Sequence, residues 1–173
     1  MKDAFPGSAG ILSGYGLTEA PILTMSGTHD GDHDLAHSEG AAMPGVVLKL
    51  VTTDGRVAGV GEEGEVRATA PQLMKGYLDP ALDADAFDDE GFFRTGDLGV
   101  LNERGMLTIT GRLKDIIIRK GENVSAKEVE DHLYPHPKVA DVAVIGLPDA
   151  ASGERVCAVV TTAPDAEPLE FDE

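Results

Sequence analysis

Thr18 and Glu19 stand near the end of the stretch SGYGLTEA, in which Gly14 and Gly16 flank Tyr15. Glycines so spaced let the backbone turn tightly and come close to a ligand. A hydroxyl followed directly by a carboxylate beside such a turn suits a phosphate oxygen and its magnesium ion. The Tyr15 ring can lie against a base. Further along, FFRTGDLG sets Asp97 after Gly96, just before a strand. A carboxylate there can accept hydrogen bonds from both hydroxyls of a ribose. In GRLKDIIIRKGEN, Arg112 brings a fixed charge and a fork of donors suited to ribose or phosphate oxygens. Lys114 and Asp115 fall where the order of elements changes, the place for a hinge. Taken singly, each segment also reads as plain structure: a turn before a polar helix start, an Asp-Gly-type turn, a solvated strand end.

HDGDHDLAHSE invites a metal reading, because His29, His33 and His37 recur every four residues among Asp30, Asp32 and Asp34. On a helix the three histidines would share a face, but Gly31 and the aspartates argue for loop. As a calcium loop it fails, since Leu35 replaces the required glycine and Ala41 the final glutamate. The expectation is a solvated loop. The single cysteine, Cys157, sits in the apolar run VCAVV and reads as a small hydrophobe on a strand.

The elements that must position these residues are mostly strands. Ile11 and Leu12 suggest a strand end, and residues 26–45 read as loop. VVLKLVTT and the alternating GEVRATA predict two strands joined through DGRVAG. A weak helix near LDADAF follows, then a hairpin from DLGVL through NERG to MLTIT. IIIR predicts a strand and SAKEVEDHL a helix, with Ser125 as its cap, Glu128 completing a capping box, and Val129 and Leu133 on one face. VADVAVIG and ERVCAVVTT predict two further strands, and the acidic tail TTAPDAEPLEFDE reads as frayed.

The chain has 173 residues, of which 42% are hydrophobic, so a packed core is expected. Its formal net charge of -17 disfavours nucleic acid and anionic lipid surfaces as partners. No run reaches membrane-spanning length, and MKDAFPGSAG lacks an apolar leader core. A cytoplasmic protein without a membrane span is expected.

In order and spacing, GYGLTE, YLDP with FFRTGDLG, GRLKDIIIRKGENVSAKEVE and HPKVADVAVIGLPDAASGERVCAVV together resemble the adenylate-forming acyl-CoA synthetases, from about residue 11 to 162. The wording is most similar to fatty-acid or related carboxylic-acid CoA ligases. The resemblance implies an α/β (α+β) fold. Residues 1–113 would be the C-terminal part of a large AMP-binding domain, with a β-rich, barrel-like subdomain at about 42–110. Residues 114–173 would be part of a small mobile α+β domain. It implies ATP/AMP, magnesium and coenzyme A as cofactors and a small carboxylic acid, in particular a fatty acid, as substrate. Tyr15 would stack on adenine in a pocket shaped by Gly14 and Gly16. Thr18 would bind the AMP phosphate, Glu19 magnesium, and Asp97 the ribose hydroxyls with Arg112 beside it. Lys114 matches the hinge, and Gly121 the loop that lines the pantetheine tunnel. The reaction would make an acyl-adenylate and pyrophosphate from a carboxylate and ATP, then pass the acyl group to CoA.

Within the 173 residues there is no Ser/Thr/Gly-rich phosphate loop ending in Pro-Lys-Gly, and no lysine after Lys138 to match the family's catalytic one. The expectation is a fragment, inactive alone and with at most weak nucleotide binding. The competing reading is a non-catalytic remnant or interaction module. Self-association through cut apolar edges is a further expectation.

Overall fold

The computed structural model describes residues 11–164 and 166, so most of the acidic tail lies outside the described residues. The chain is mixed in content and dominated by antiparallel strands. It divides into two compact units, Met1–Thr110 and Gly111–Glu173.

The first unit opens with three two-residue strands, β1 (Gly14–Tyr15), β2 (Thr24–Met25) and β3 (Ala41–Ala42), ordered β1-β2-β3. Strands this short carry no alternation signal. The loop expected over residues 26–45 therefore holds β2's exit, a six-residue helix α1 (Asp32–His37) and β3, while Ile11 and Leu12 are irregular and exposed. Gly31 sits at the N-cap of α1, with Asp32 and Asp34 in the first turn, where acids complement the helix dipole.

A second sheet has the order β4-β5-β6-β7, with β4 Val47–Val51, β5 Glu63–Thr69, β6 Phe93–Leu101 and β7 Leu107–Arg112. The division between the units falls inside β7. The sheet is an open order of strands; among the described residues no pairing closes it into the expected barrel. Its core gathers Leu50, Val66 and Leu107. A neighbouring cluster gathers Ala20, Leu23, Val46 and Ala68, and the Tyr15 ring packs against both. The segment after α1 covers the β7 edge: Leu107 donates to the Gly40 carbonyl at 2.9 Å and Ile109 to Glu39 Oε2 at 2.9 Å. Such cover removes the free donors that make an edge strand prone to pairing. The predicted weak helix is a 3-10 turn, Pro80–Leu82, running into α2 (Asp83–Ala86).

The second unit is a four-stranded sheet, β10-β11-β8-β9, backed by α3 (Ala126–Leu133). Here β8 is Ile116–Arg119, β9 Glu122–Ser125, β10 Val139–Asp149 and β11 Gly153–Thr162. β9, ENVS, was not expected, since four residues with one apolar side chain carry no alternation; register with β8 makes it. Lys120 and Gly121 join them with φ of 54° and 84°, a pair of left-handed residues that matches the twist of a two-residue hairpin. The Ser125 hydroxyl accepts from Glu128 N at 3.3 Å, the predicted cap. Ile117, Ala126 and Val144 form the core, with Val129 and Leu133 packed on it, so the apolar side of IIIR faces this unit's own helix as expected. Its neighbours alternate outward: Ile116 is half-buried and Ile118 exposed.

Candidate functional site

Two local devices shape the site residues of the first unit. The first is the β1–β2 hairpin. Gly14 pairs with Met25 and Tyr15 with Thr24, and Leu23 N donates to the Tyr15 carbonyl at 2.7 Å. Leu17 and Ala20 exchange backbone bonds of 3.2 and 3.1 Å, which puts Thr18 and Glu19 at the tip of a tight turn. Gly16 is required there: a Cβ would stand 2.4 Å from Ile22 N. Ile22, a β-branched residue, is held at a φ of 51°, and Gln72 Nε2 donates to its carbonyl at 3.0 Å. Left-handed backbone at such a residue is strained and persists only where neighbours over-determine it.

The second device is a bulge in β6. Glu65 pairs with Leu98 and Arg67 with Arg94, so three residues of β6 stand opposite a single residue of β5. Gly96 supplies the bend with a φ of 72°. The Thr95 hydroxyl donates to the Val66 carbonyl at 2.7 Å and accepts from Asp97 N at 3.1 Å, which replaces the interrupted ladder. Bulges re-aim side chains in this way. The result is a buried Asp97, 7% exposed, whose Oδ2 accepts from the Tyr15 hydroxyl at 2.7 Å.

That bond joins the base of the hairpin to the bulge across 82 positions of sequence. The family resemblance implied that Tyr15 and Asp97 serve one nucleotide, but the phenol–carboxylate pair itself was not foreseen. The tip is tied separately. Met74 N donates to the Glu19 carbonyl at 2.8 Å, and the Tyr77 hydroxyl donates to Glu19 Oε1 at 3.0 Å. Tyr77 N in turn donates to Asp83 Oδ1 at 2.9 Å, and Gly76 leaves room for that carboxylate, since a Cβ there would stand 2.7 Å from Asp83 Oδ2. Burial first, then the bond to Glu19 and the charges of Glu19 and Asp83, push the Tyr77 phenol up, so it remains a donor at neutral pH. Tyr77 and Thr95 were missed in the sequence. They lie in YLDP and FFRTGDLG, but the bonds from Tyr77 to Glu19 and from Thr95 to the Val66 carbonyl join parts distant in the chain.

Thr18 is exposed and Glu19 half-buried at the tip. Arg112 ends β7, Lys114 lies in the exposed 3-10 turn Leu113–Asp115, and Gly121 occupies the β8–β9 hairpin tip; all three belong to the second unit. His33 and His37 stack at 4.5 Å on α1 while His29 precedes the helix. Among the described residues no group of three His, Cys, Asp or Glu could hold a metal, and no helix is long and apolar enough to cross a membrane.

Residues 1–78 match the family of AMP-binding enzymes, and residues 128–172 match the AMP-binding enzyme C-terminal domain. The medium-chain fatty-acid–CoA ligase of Escherichia coli (strain K12) is 40% identical over 164 residues, 94% of this chain and 29% of the relative. A salicyl-AMP ligase / salicyl-S-ArCP synthetase of Mycobacterium tuberculosis is 36% identical over 156 residues, 89% of this chain and 27% of the relative. Among solved structures, ATP-bound MatB from Rhodopseudomonas palustris is similar with a TM-score of 0.84 and 38% identity, over 92% of this chain and 32% of that one. The o-succinylbenzoate CoA synthetase of Bacillus subtilis, solved with its acyl-adenylate intermediate OSB-AMP, gives a TM-score of 0.82 at 29% identity, over 94% of this chain and 33% of that one. The chain thus spans under a third of the length of these curated relatives.

Proposed function

The chain belongs to the AMP-binding enzyme family, and on that premise we propose that its first unit holds the AMP part of ATP while an acyl-adenylate forms. Asp97 takes the ribose hydroxyls, Tyr15 faces the adenine, and Gly14 and Gly16 let the hairpin approach it. Thr18 binds the phosphate at the hairpin tip. The carrying observation is the 2.7 Å bond from the Tyr15 hydroxyl to Asp97 Oδ2, which binds the hairpin to the bulge and fixes one oxygen of the ribose acceptor.

Glu19 fits magnesium. It is a hard oxygen donor whose side chain is bonded by a neutral phenol, and among the described residues no cation pairs with it. Magnesium characteristically takes one or two protein carboxylates together with phosphate oxygens and water. The ion would neutralise phosphate charge there.

For the longer architecture of the relatives we propose the two-step reaction: a carboxylic acid and ATP give acyl-AMP and pyrophosphate, and the acyl group passes to the thiol of CoA. The relatives' names share the adenylate more widely than the acceptor, since one is a salicyl-S-ArCP synthetase. A fatty acid and CoA are the preferred substrates on the identity to the medium-chain ligase. Arg112 supports the ribose, Lys114 acts as the hinge in the Leu113–Asp115 turn, and Gly121 lies on the pantetheine path. Function in the cytoplasm and in fatty acid metabolism belongs to the same proposal.

The test is calorimetric titration of this chain with AMP, beside ATP–pyrophosphate exchange over a panel of carboxylic acids for the chain and for a form extended at both ends. AMP binding lost in Asp97→Ala, with exchange only in the extended form, supports the reading. AMP binding that Asp97→Ala leaves unchanged overturns it. Exchange by neither form, with AMP binding kept, selects a non-catalytic binding module. In the extended form Lys114→Pro, which fixes φ, should abolish one half-reaction and spare the other; equal loss of both would remove the hinge.

A further inference from the structure

Glu19 is oriented by a residue to which the sequence motifs gave no role. Its Oε1 accepts from the Tyr77 hydroxyl at 3.0 Å, while its carbonyl accepts from Met74 N at 2.8 Å. The segment that supplies both donors also supplies Gln72 Nε2 to the strained Ile22 at 3.0 Å, so the far side of the hairpin tip is clamped as well. The clamp is itself anchored. Asp83 Oδ1 receives Tyr77 N, Gly76 at a φ of 148° gives Asp83 space to reach it, and Asp79 Oδ1 accepts from Ala81 N at 3.0 Å to start the turn that leads into α2. Tyr77 is half-buried, which restricts its rotamers.

We propose that Tyr77 is a positioning residue for the metal-binding carboxylate: its phenol fixes the orientation of Glu19 through Oε1 and leaves Oε2 and the full negative charge for the divalent ion of a metal–nucleotide complex. This rests on the reading of Glu19 as a magnesium ligand. The donor type decides the point. A lysine or arginine in the same place would orient Glu19 equally well but would neutralise it and compete with the ion. A phenol contributes direction without charge. A hydroxyl donating to a carboxylate is a charge-assisted bond, stronger than a neutral pair, so losing it frees the Glu19 rotamer.

The experiment is calorimetric titration of the full chain with ATP in EDTA and with ATP plus Mn2+, for wild type, Tyr77→Phe, Glu19→Gln and the double variant. In the wild type Mn2+ should tighten ATP binding. Tyr77→Phe should reduce that metal-dependent gain by at least about tenfold, the lower end of the size of one hydrogen bond to a charged group, and leave metal-free affinity within about twofold. Glu19→Gln should abolish the gain, and the double variant should lose no more, because coupled residues fail additivity. An equal gain in wild type and Tyr77→Phe overturns the proposal for Tyr77 and keeps Glu19 as ligand. So does a Tyr77→Phe chain that loses metal-free and metal-bound affinity alike, which marks a latch that only folds the tip. A wild-type chain that binds ATP without any response to Mn2+ fails earlier, at the metal reading of Glu19, and takes the Tyr77 proposal with it. A wild-type chain that binds no ATP in either titration fails earlier still, at the nucleotide reading itself, and overturns the proposal together with it.

Discussion

Glu19 and Asp88 are acids of the same unit, both withdrawn from open water, and they are held in opposite ways. Asp88, with its side chain 7% exposed, accepts from the Lys49 ammonium at 2.9 Å and the Arg67 guanidinium at 3.2 Å. It also accepts from Phe92 N at 2.9 Å and Glu90 N at 3.1 Å. Lys49 and Arg67 are partners in the β4–β5 register, and Lys49 lies 4.2 Å above the Phe92 ring. Every acceptor site is occupied, and the charge faces two cations that are shared with Glu90 and Glu65. Glu19 has one neutral side-chain donor. The first arrangement fastens the 88–92 turn to the sheet and has nothing to offer a ligand. The second keeps charge and acceptor capacity available at the price of weaker fixation. Under the proposed function, this difference in donors is what separates a carboxylate that makes structure from one kept for binding.

Removing the saturated acid should have the largest effect on stability. Asp88→Ala takes the shared counter-ion from Lys49 and Arg67, with side chains 14% and 15% exposed, and leaves them paired with Glu90 and Glu65 alone. A loss of about 2 kcal/mol is expected, below the scale of leaving a buried charge with no partner because Glu90 and Glu65 still face the two cations, read as a lower urea midpoint. AMP affinity should hold within about twofold after correction for the unfolded fraction. A large, selective loss of AMP affinity would break the comparison.

Acid should reveal the same group. Burial alone would push the Asp88 carboxyl up, but Lys49, the Phe92 N–H, Arg67 and the Glu90 N–H hold it down at about 2. Its folded value therefore lies below the unfolded one, about 3.9. The stabilisation is fully present above the unfolded value and disappears as pH falls from about 4 through about 2, a contribution of roughly 2 kcal/mol. Urea midpoints between pH 5 and 2 should fall more steeply for wild type than for Asp88→Asn. Parallel slopes would count against it.

The bulge gives a smaller effect that also touches binding. Thr95→Val removes the bond to the Val66 carbonyl and the acceptor of Asp97 N. About 1 kcal/mol of stability should go, the usual net value of such bonds, with AMP affinity down several-fold as Asp97 loses its aim. An unchanged affinity would show that Asp97 keeps its orientation without Thr95.

Legibility in the sequence divides along similar lines. The long strands β4 to β8, β10 and β11, the helix α3 and its Ser125 cap could be read because period and cap chemistry are local. The strands β1 to β3 could not, because two residues hold no period; their pairing is made by Gly16 and Gly40, where backbones nearly touch. β9 is made by register with β8. The proposed site was marked in the sequence only by motif residues, Tyr15, Thr18, Glu19 and Asp97, and the bonds that hold them were not. Tyr77, Thr95 and Asp83 act through partners that folding brings to them. The cations facing Asp88 come from separate strands, so neither Lys49 nor Arg67 announced the cluster.

The smallest expected stability effect is the sharpest test of the contrast. Glu19→Gln preserves size and keeps an oxygen able to accept from Tyr77, so the 3.0 Å bond can persist in its neutral form. No buried cation is left behind, because among the described residues none pairs with Glu19. The urea midpoint should therefore move by less than about 0.5 kcal/mol, the range of a substitution away from any buried network, while the Mn2+-dependent gain in ATP affinity disappears. If Glu19→Gln instead destabilises the chain on the scale of Asp88→Ala, then Glu19 is a structural acid of the same kind. Its weak complement of donors would no longer distinguish a binding carboxylate from a fastening one.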